Sequence, residues 1–143
     1  MSALAFASAT VPDTLRIAGY AALFDRPDAA RDTIRRGAFR RTLSERRAPL
    51  PLYWQHRPDQ HIGWVEQASE DARGLRVVAT IDNPASRAAT LLRERSVSGL
   101  SFGYRARRAA HSDAGRELLD IELLEVSLVT HPLQHSARIH LIT

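Results

Sequence analysis

Three residues of the types used in acyl transfer stand at positions that local sequence makes accessible: Ser101, His56 and Glu125. Ser101 lies in Val-Ser-Gly-Leu-Ser-Phe-Gly-Tyr, residues 97–104, with Gly99 two residues before it and Gly103 two after. Glycines at those positions remove bulk beside the hydroxyl, which suits a tight entry turn and close approach of a substrate backbone. The same pattern is also ordinary turn or bulge chemistry, so its weight rests on finding a base. His56 ends Leu-Pro-Leu-Tyr-Trp-Gln-His, whose alternation puts Leu50, Leu52, Trp54 and His56 on one strand face. At the strand's end, where that face meets the loop Arg57-Pro58-Asp59-Gln60, an imidazole is oriented by the scaffold and still reachable. Glu125 shares a strand face with Ser127 and Val129, opposite Val126 and Leu128. A serine nucleophile, an imidazole base and a carboxylate that holds the base's tautomer perform acyl transfer once three strands bring them together. The order His, Ser, acid matches none of the trypsin, subtilisin and hydrolase-elbow arrangements.

Composition narrows the chemistry further. All 20 basic residues are Arg, so a Schiff base or a Ser-Lys dyad is impossible, and the absence of Cys removes disulfides, thiolate zinc sites and a cysteine nucleophile. His61 and Asp59 beside His56 suggest a metal site, yet no third clear ligand with supporting partners accompanies them. The net charge of +4 invites contact with nucleic acid. Aromatic residues are few and do not interleave with the arginines as stacking platforms require, which disfavours that partner. No apolar run is long enough to span a bilayer, and the first ten residues lack a basic signal-peptide region, so an intracellular protein is expected. A chain of 143 residues is expected to build one domain over 1–143, with 1–13 a flexible lead.

The elements that must position these residues follow from periodicity. Leu15–Phe24 has strand character with a bend or bulge at Gly19, and Asp25–Asp32 is a polar loop. Phe39 and Leu43, at i and i+4, give a short charged surface helix ended by Pro49 and Pro51. Residues 62–68 and 74–81 form paired strands. A helix then runs from an Asn83 N-cap and Pro84 at its first position to Arg95. The Ser101 strand follows, then a turn at 111–115 and a long or bent strand over 118–130. The sum is an α+β, mainly β domain: a small closed or nearly closed barrel of about six or seven strands with two flanking helices.

Taken together, Gly19-Tyr20-Ala21, Arg36-Gly37-Ala38-Phe39, Trp54-Gln55-His56 with Ile62-Gly63, Asp71-Ala72-Arg73-Gly74-Leu75, Gly99 to Tyr104, and Leu124-Glu125-Val126-Ser127-Leu128-Val129-Thr130 with Pro132 resemble, in order and spacing, a known family. It is the prohead (procapsid maturation) proteases of tailed phages, of the HK97 type, which are related in fold to herpesvirus assemblins. The resemblance implies a cofactor-free serine endopeptidase with Ser101 as nucleophile and His56 as base. Glu125 is the choice for third member, with Glu122 and His131 behind it. It further implies an oxyanion site of main-chain amides near Ser101 or Gly103, helped by an arginine such as Arg105. The implied substrates are the immature major capsid protein or its scaffold segment, and the protease itself. The implied place of action is inside the assembling procapsid in the cytoplasm of a bacterial host, for a phage or phage-like particle, with homo-oligomerisation as one arrangement. Two other classes stay open: a protease-fold scaffolding protein with weak catalysis, and an Arg-rich nucleic-acid module.

Overall fold

The computed structural model describes residues 14–143, and the expected flexible lead over 1–13 lies outside the described residues. Among the described residues, eight strands form one strongly curled antiparallel and parallel sheet. They are β1 (Leu15–Leu23), β2 (Asp32–Ile34), β3 (Leu50–Trp54), β4 (Arg57–Glu70), β5 (Gly74–Ile81), β6 (Gly99–Ser112), β7 (Gly115–Val129) and β8 (Ile139–Ile142), with helices α1 (Arg40–Glu45) and α2 (Arg87–Arg93). Neighbours run β2-β7-β3-β4-β5-β1-β8, and β6 pairs β7. The circuit is completed where Leu100 N–H donates to Ala137 O (2.9 Å) and Ile139 N–H donates to Ser98 O (2.9 Å), around the bridge Gly99–Arg138. The expected barrel with two flanking helices is therefore found.

Period-two alternation explains the staves. In β5, Leu75, Val77, Ala79 and Ile81 are buried while Arg76, Val78 and Thr80 are half-buried on the other face. The inward faces of β1, β3, β5, β6 and β7 meet in one core that includes Ile17, Leu52, Leu75, Leu100, Leu118 and Leu128. Phe39 plugs this core beneath Phe102, their rings edge to face at 5.4 Å between centroids. Phe39 thus anchors α1 from its N-cap position, as the Phe39/Leu43 stripe predicts, and Thr42 closes the other side by accepting from Leu123 N–H (3.0 Å).

Some boundaries differ from the sequence reading. The N-cap of α2 is Ser86, whose hydroxyl accepts from Ala89 N–H, while Asn83 accepts from Ala85 N–H in a preceding turn that holds Pro84. A serine three residues inside the expected start offers the same capping chemistry, and the turn takes up the intervening residues. Residues 57–60 are not a loop: Arg57 pairs back on Trp54, and the register jumps across Pro58-Asp59-Gln60 before Tyr53 pairs with His61. Strands β2 and β8, of three and four residues, are too short to show alternation in sequence.

Strand β2 runs parallel to the start of β7 and places Asp32 opposite Arg116. Arg116 donates Nε–H to Asp32 Oδ1 (3.0 Å) and Nη2–H to Oδ2 (2.9 Å), and the Tyr104 hydroxyl donates to Oδ2 (3.3 Å). The Arg116 hydrogen bond holds the Asp32 carboxyl below its ordinary range. Stability from a depressed carboxyl is present above the unfolded value and fades as pH falls through the folded one. Asp32→Asn should therefore cost about 2 kcal/mol at neutral pH. In urea titrations the gap to wild type should close in acid; a gap independent of pH contradicts this role.

Candidate active site

The site is built on the pairing of β6 with β7. Ser101 lies opposite Ser127, and Gly103 opposite Glu125. The register then skips a residue, since Tyr104 pairs with Leu123. Leu124 is thus the extra residue of a β-bulge, and it is exposed. The bulge changes which face each side chain takes. Before it, odd-numbered Ile121 and Leu123 fill the core; after it, even-numbered Val126 and Leu128 do, and Glu125 and Ser127 turn to the opposite face.

That face continues across the sheet, because Ser127 pairs with Tyr53 of β3 and Tyr53 with His61 of β4. Between β3 and β4 the chain reverses through Gln55 and His56 alone, with φ of 53° and 61°. Two left-handed central residues fit a type I′ hairpin turn, a place where Asn-Gly is favoured and Gln-His is strained. Hydrogen bonds hold the turn in place. Gln55 N–H donates to Leu128 O (2.9 Å), and its side chain exchanges two bonds with Thr130 (3.2 and 3.3 Å). His56 N–H donates to Ser127 Oγ (3.0 Å), and the Ser127 hydroxyl donates to Glu125 Oε2 (2.8 Å).

His56 Nδ1 lies 2.9 Å from Glu125 Oε1 and 3.3 Å from Oε2. An ionised carboxylate only accepts, so Nδ1 carries the proton and Nε2 is left to accept one. The Glu125 side chain is 9 % exposed and the His56 side chain 43 %: the carboxylate is enclosed and the imidazole reachable. Ser101 is 6 % exposed, and its hydroxyl joins no hydrogen bond among the described residues. Every fully enclosed side-chain polar atom there has a partner, so the Ser101 hydroxyl is not fully enclosed.

The structure brings His56 and Glu125 into contact and places Ser101 in the adjoining row of the same face; no hydrogen bond joins Ser101 to the imidazole. The other candidates are engaged elsewhere or lie apart. Glu122 faces Arg105 (3.7 Å) and Arg107 (3.9 Å), His131 is exposed beyond the end of β7, and Arg105 has a side chain 75 % exposed. His61 donates Nε2–H to Gly63 O (2.7 Å), with its ring between Tyr53 and Trp64.

The glycines beside Ser101 serve a purpose other than the open access expected of them. A Cβ on Gly103 would stand 2.9 Å from Glu125 Cγ, and one on Gly99 would stand 2.6 Å from Val129 O. Gly103 is the space in which the Glu125 side chain lies. Ser127 is the functional candidate that sequence reading passed over; its serine on the outward face of an otherwise apolar strand was the available signal.

A family model described as the caudovirus prohead serine protease matches residues 4–143, and the chain belongs to this family. It is 28 % identical over 128 residues to the prohead protease of Enterobacteria phage HK97, covering 85 % of this chain and 57 % of that protein. The chain thus spans little more than half the length of that curated relative. In fold it is similar to the varicella-zoster virus protease (TM-score 0.62, 19 % identity, 89 % of this chain and 63 % of that one). It is equally similar to the KSHV protease solved with a hexapeptide phosphonate inhibitor (TM-score 0.63, 16 % identity, 91 % and 65 %). The capsid assembly protease of bacteriophage T4 shares the fold as well (TM-score 0.61, 13 % identity, 80 % of each chain).

Because the Glu125 side chain occupies the room a Cβ at 103 would need, the two positions should be coupled. Gly103→Ala is expected to destabilise by about 1–3 kcal/mol in denaturant unfolding. The cost should fall below about 1 kcal/mol when Glu125→Ala is already present. Additive costs would show that the contact does not govern either residue.

Proposed function

We propose that this chain is an active serine endopeptidase of procapsid maturation, with Ser101 as nucleophile, His56 as general base and Glu125 as the acid that orients it. The observation that carries the reading is the His56–Glu125 hydrogen bond, formed at Nδ1 so that Nε2 remains an acceptor, on the sheet face that also carries Ser101. In the reaction, His56 Nε2 takes the Ser101 hydroxyl proton as Oγ attacks the scissile carbonyl. Glu125 stabilises the imidazolium, which then protonates the leaving amine. Water, deprotonated by the same imidazole, hydrolyses the acyl-enzyme and restores Ser101. Ser127 would act through its neighbours, fixing the His56 backbone and one Glu125 oxygen in the same hydroxyl.

We further propose that the substrates are the immature capsid protein, its scaffold segment and the protease itself, that cleavage takes place within the assembling particle in a bacterial host, and that residues 1–143 act as one domain. Family membership and the fold shared with the phage T4 capsid assembly protease support the setting. No helix among the described residues is long and apolar enough to cross a membrane.

Co-expression with a capsid protein, followed by mass measurement of both products, tests the reading. Ser101→Ala should abolish cleavage and leave the fold intact, whereas Ser98→Ala should retain most of it, since Ser98 Oγ accepts from Arg138 (3.1 Å) and stands outside the triad row. Reversed outcomes would transfer the nucleophile to Ser98. Cleavage should also fall on acidification, because a protonated imidazole cannot accept the hydroxyl proton. Ser127→Ala should lower kcat roughly 10- to 100-fold with KM little changed, as expected when base and acid lose a shared anchor. A change confined to KM would remove Ser127 from the positioning role.

A further inference from the structure

Away from the triad, Tyr20 of β1, Arg73 and Arg76 at the start of β5, and Ser136, Arg138 and His140 around β8 line a cavity of about 310 Å³. Arg73, Arg76 and Arg138 form no ion pair among the described residues. Unpaired arginines are common on this surface; what sets these three apart is convergence on one concavity and the way each is held. The Arg73 guanidinium lies 5.0 Å from the Tyr20 ring centroid. Arg76 Nε–H donates to His140 Nε2 (3.3 Å). Arg138 donates Nε–H to His135 O (2.8 Å) and Nη1–H to Ser98 Oγ (3.1 Å). The Tyr20 hydroxyl donates in turn to Asp71, which fixes the ring under Arg73. Asp71, held by the Tyr20 hydroxyl, offsets one of these three charges; the remaining excess of positive charge is relieved by a bound anion. Arg76 and Arg73 keep terminal N–H groups free for it, in the forked geometry that suits carboxylates.

The cavity is close to the chemistry. Arg138 grips Ser98, three residues before Ser101, a span of about 10 Å at strand rise. The same residue supplies the bridge to Gly99 that completes the barrel. A polypeptide lying extended over Ser101 and towards Ser98 therefore brings a side chain a few residues from its scissile bond to the arginines. Nucleic acid fits less well: the one aromatic ring with a large face, Tyr20, is covered by Arg73, which leaves no platform for a base, and the cations form a compact pocket instead of a stripe along a backbone.

We propose that this pocket is a substrate-recognition subsite that takes Asp or Glu carboxylates of the polypeptide substrate a few residues from the cleaved bond; as a substrate site it rests on the peptidase reading above. The test uses the full chain carrying Ser101→Ala, so that binding is read without turnover, and a fluorescein-labelled hexa-aspartate peptide as probe. Saturable binding is expected, weakened at least tenfold by Arg73→Gln with Arg76→Gln, which keep most of each stem. Arg87→Gln with Arg93→Gln removes the same charge from α2 and should leave affinity within about twofold. Equal weakening by the two pairs would mean attraction by net charge alone and overturn the proposal, as would undiminished binding by the Arg73/Arg76 pair. Tighter binding of a single-stranded oligonucleotide through the same two arginines would overturn it in favour of nucleic acid. Binding of the acidic peptide by a protein that cleaves nothing would leave the pocket standing and remove only the peptidase reading.

Discussion

The extra residue at Leu124 is the constraint on which the rest of the site depends. Strand β7 buries odd-numbered Ile121 and Leu123 in its middle and even-numbered Val126 and Leu128 in its late part, and only a bulge between them allows both. Without it Glu125 would follow Ile121 and Leu123 into the core as an unpaired buried carboxylate, a costly arrangement. With it, Glu125 turns to the opposite face, over the vacant side of Gly103, and Ser127 follows in line with Ser101 and Tyr53. One backbone irregularity thus gives a core strand an outward face that carries Glu125 and Ser127 while the inner face stays apolar.

The imidazole is brought to this platform by a strained turn. Gln55 and His56 both occupy the left-handed region, at a cost of about 1–2 kcal/mol each for residues with a Cβ. The bonds to Leu128, Thr130, Ser127 and Glu125 offset that cost, so the turn persists because β7 lies beside it. The Ser127 hydroxyl is central: it receives the His56 amide and donates to Glu125, so backbone and ring of His56 are fixed relative to the same carboxylate. The geometry explains why a partly exposed histidine can hold one orientation.

Much of this was legible in the residues. Alternation in 74–81 gives β5 and its inward face, and the Phe39/Leu43 spacing gives α1. Alternation of Glu125 and Ser127 against Val126 and Leu128 gives the shared outward face of late β7. What escaped has physical reasons. Gln-His lacks the Asn or Gly that marks a type I′ turn, so the reversal at 55–56 was displaced to the polar run after it. The role of Gly103 depends on a side chain on the neighbouring strand, which no local pattern reveals. Three- and four-residue strands such as β2 and β8 owe their existence to partners already in place, and Ser86 and Asn83 are equivalent caps until the turn between them is seen.

Strand β7 holds His56 with its proton on Nδ1, against Glu125, leaving Nε2 as the acceptor. Nitrogen-15 NMR of the imidazole, with proton spectra searched for a downfield, slowly exchanging ring N–H, measures this directly. Neutral His56 is expected to be the Nδ1–H tautomer, and this proton signal is expected to disappear in Glu125→Ala. A neutral His56 protonated at Nε2, or an Nδ1–H signal indifferent to Glu125, would contradict it.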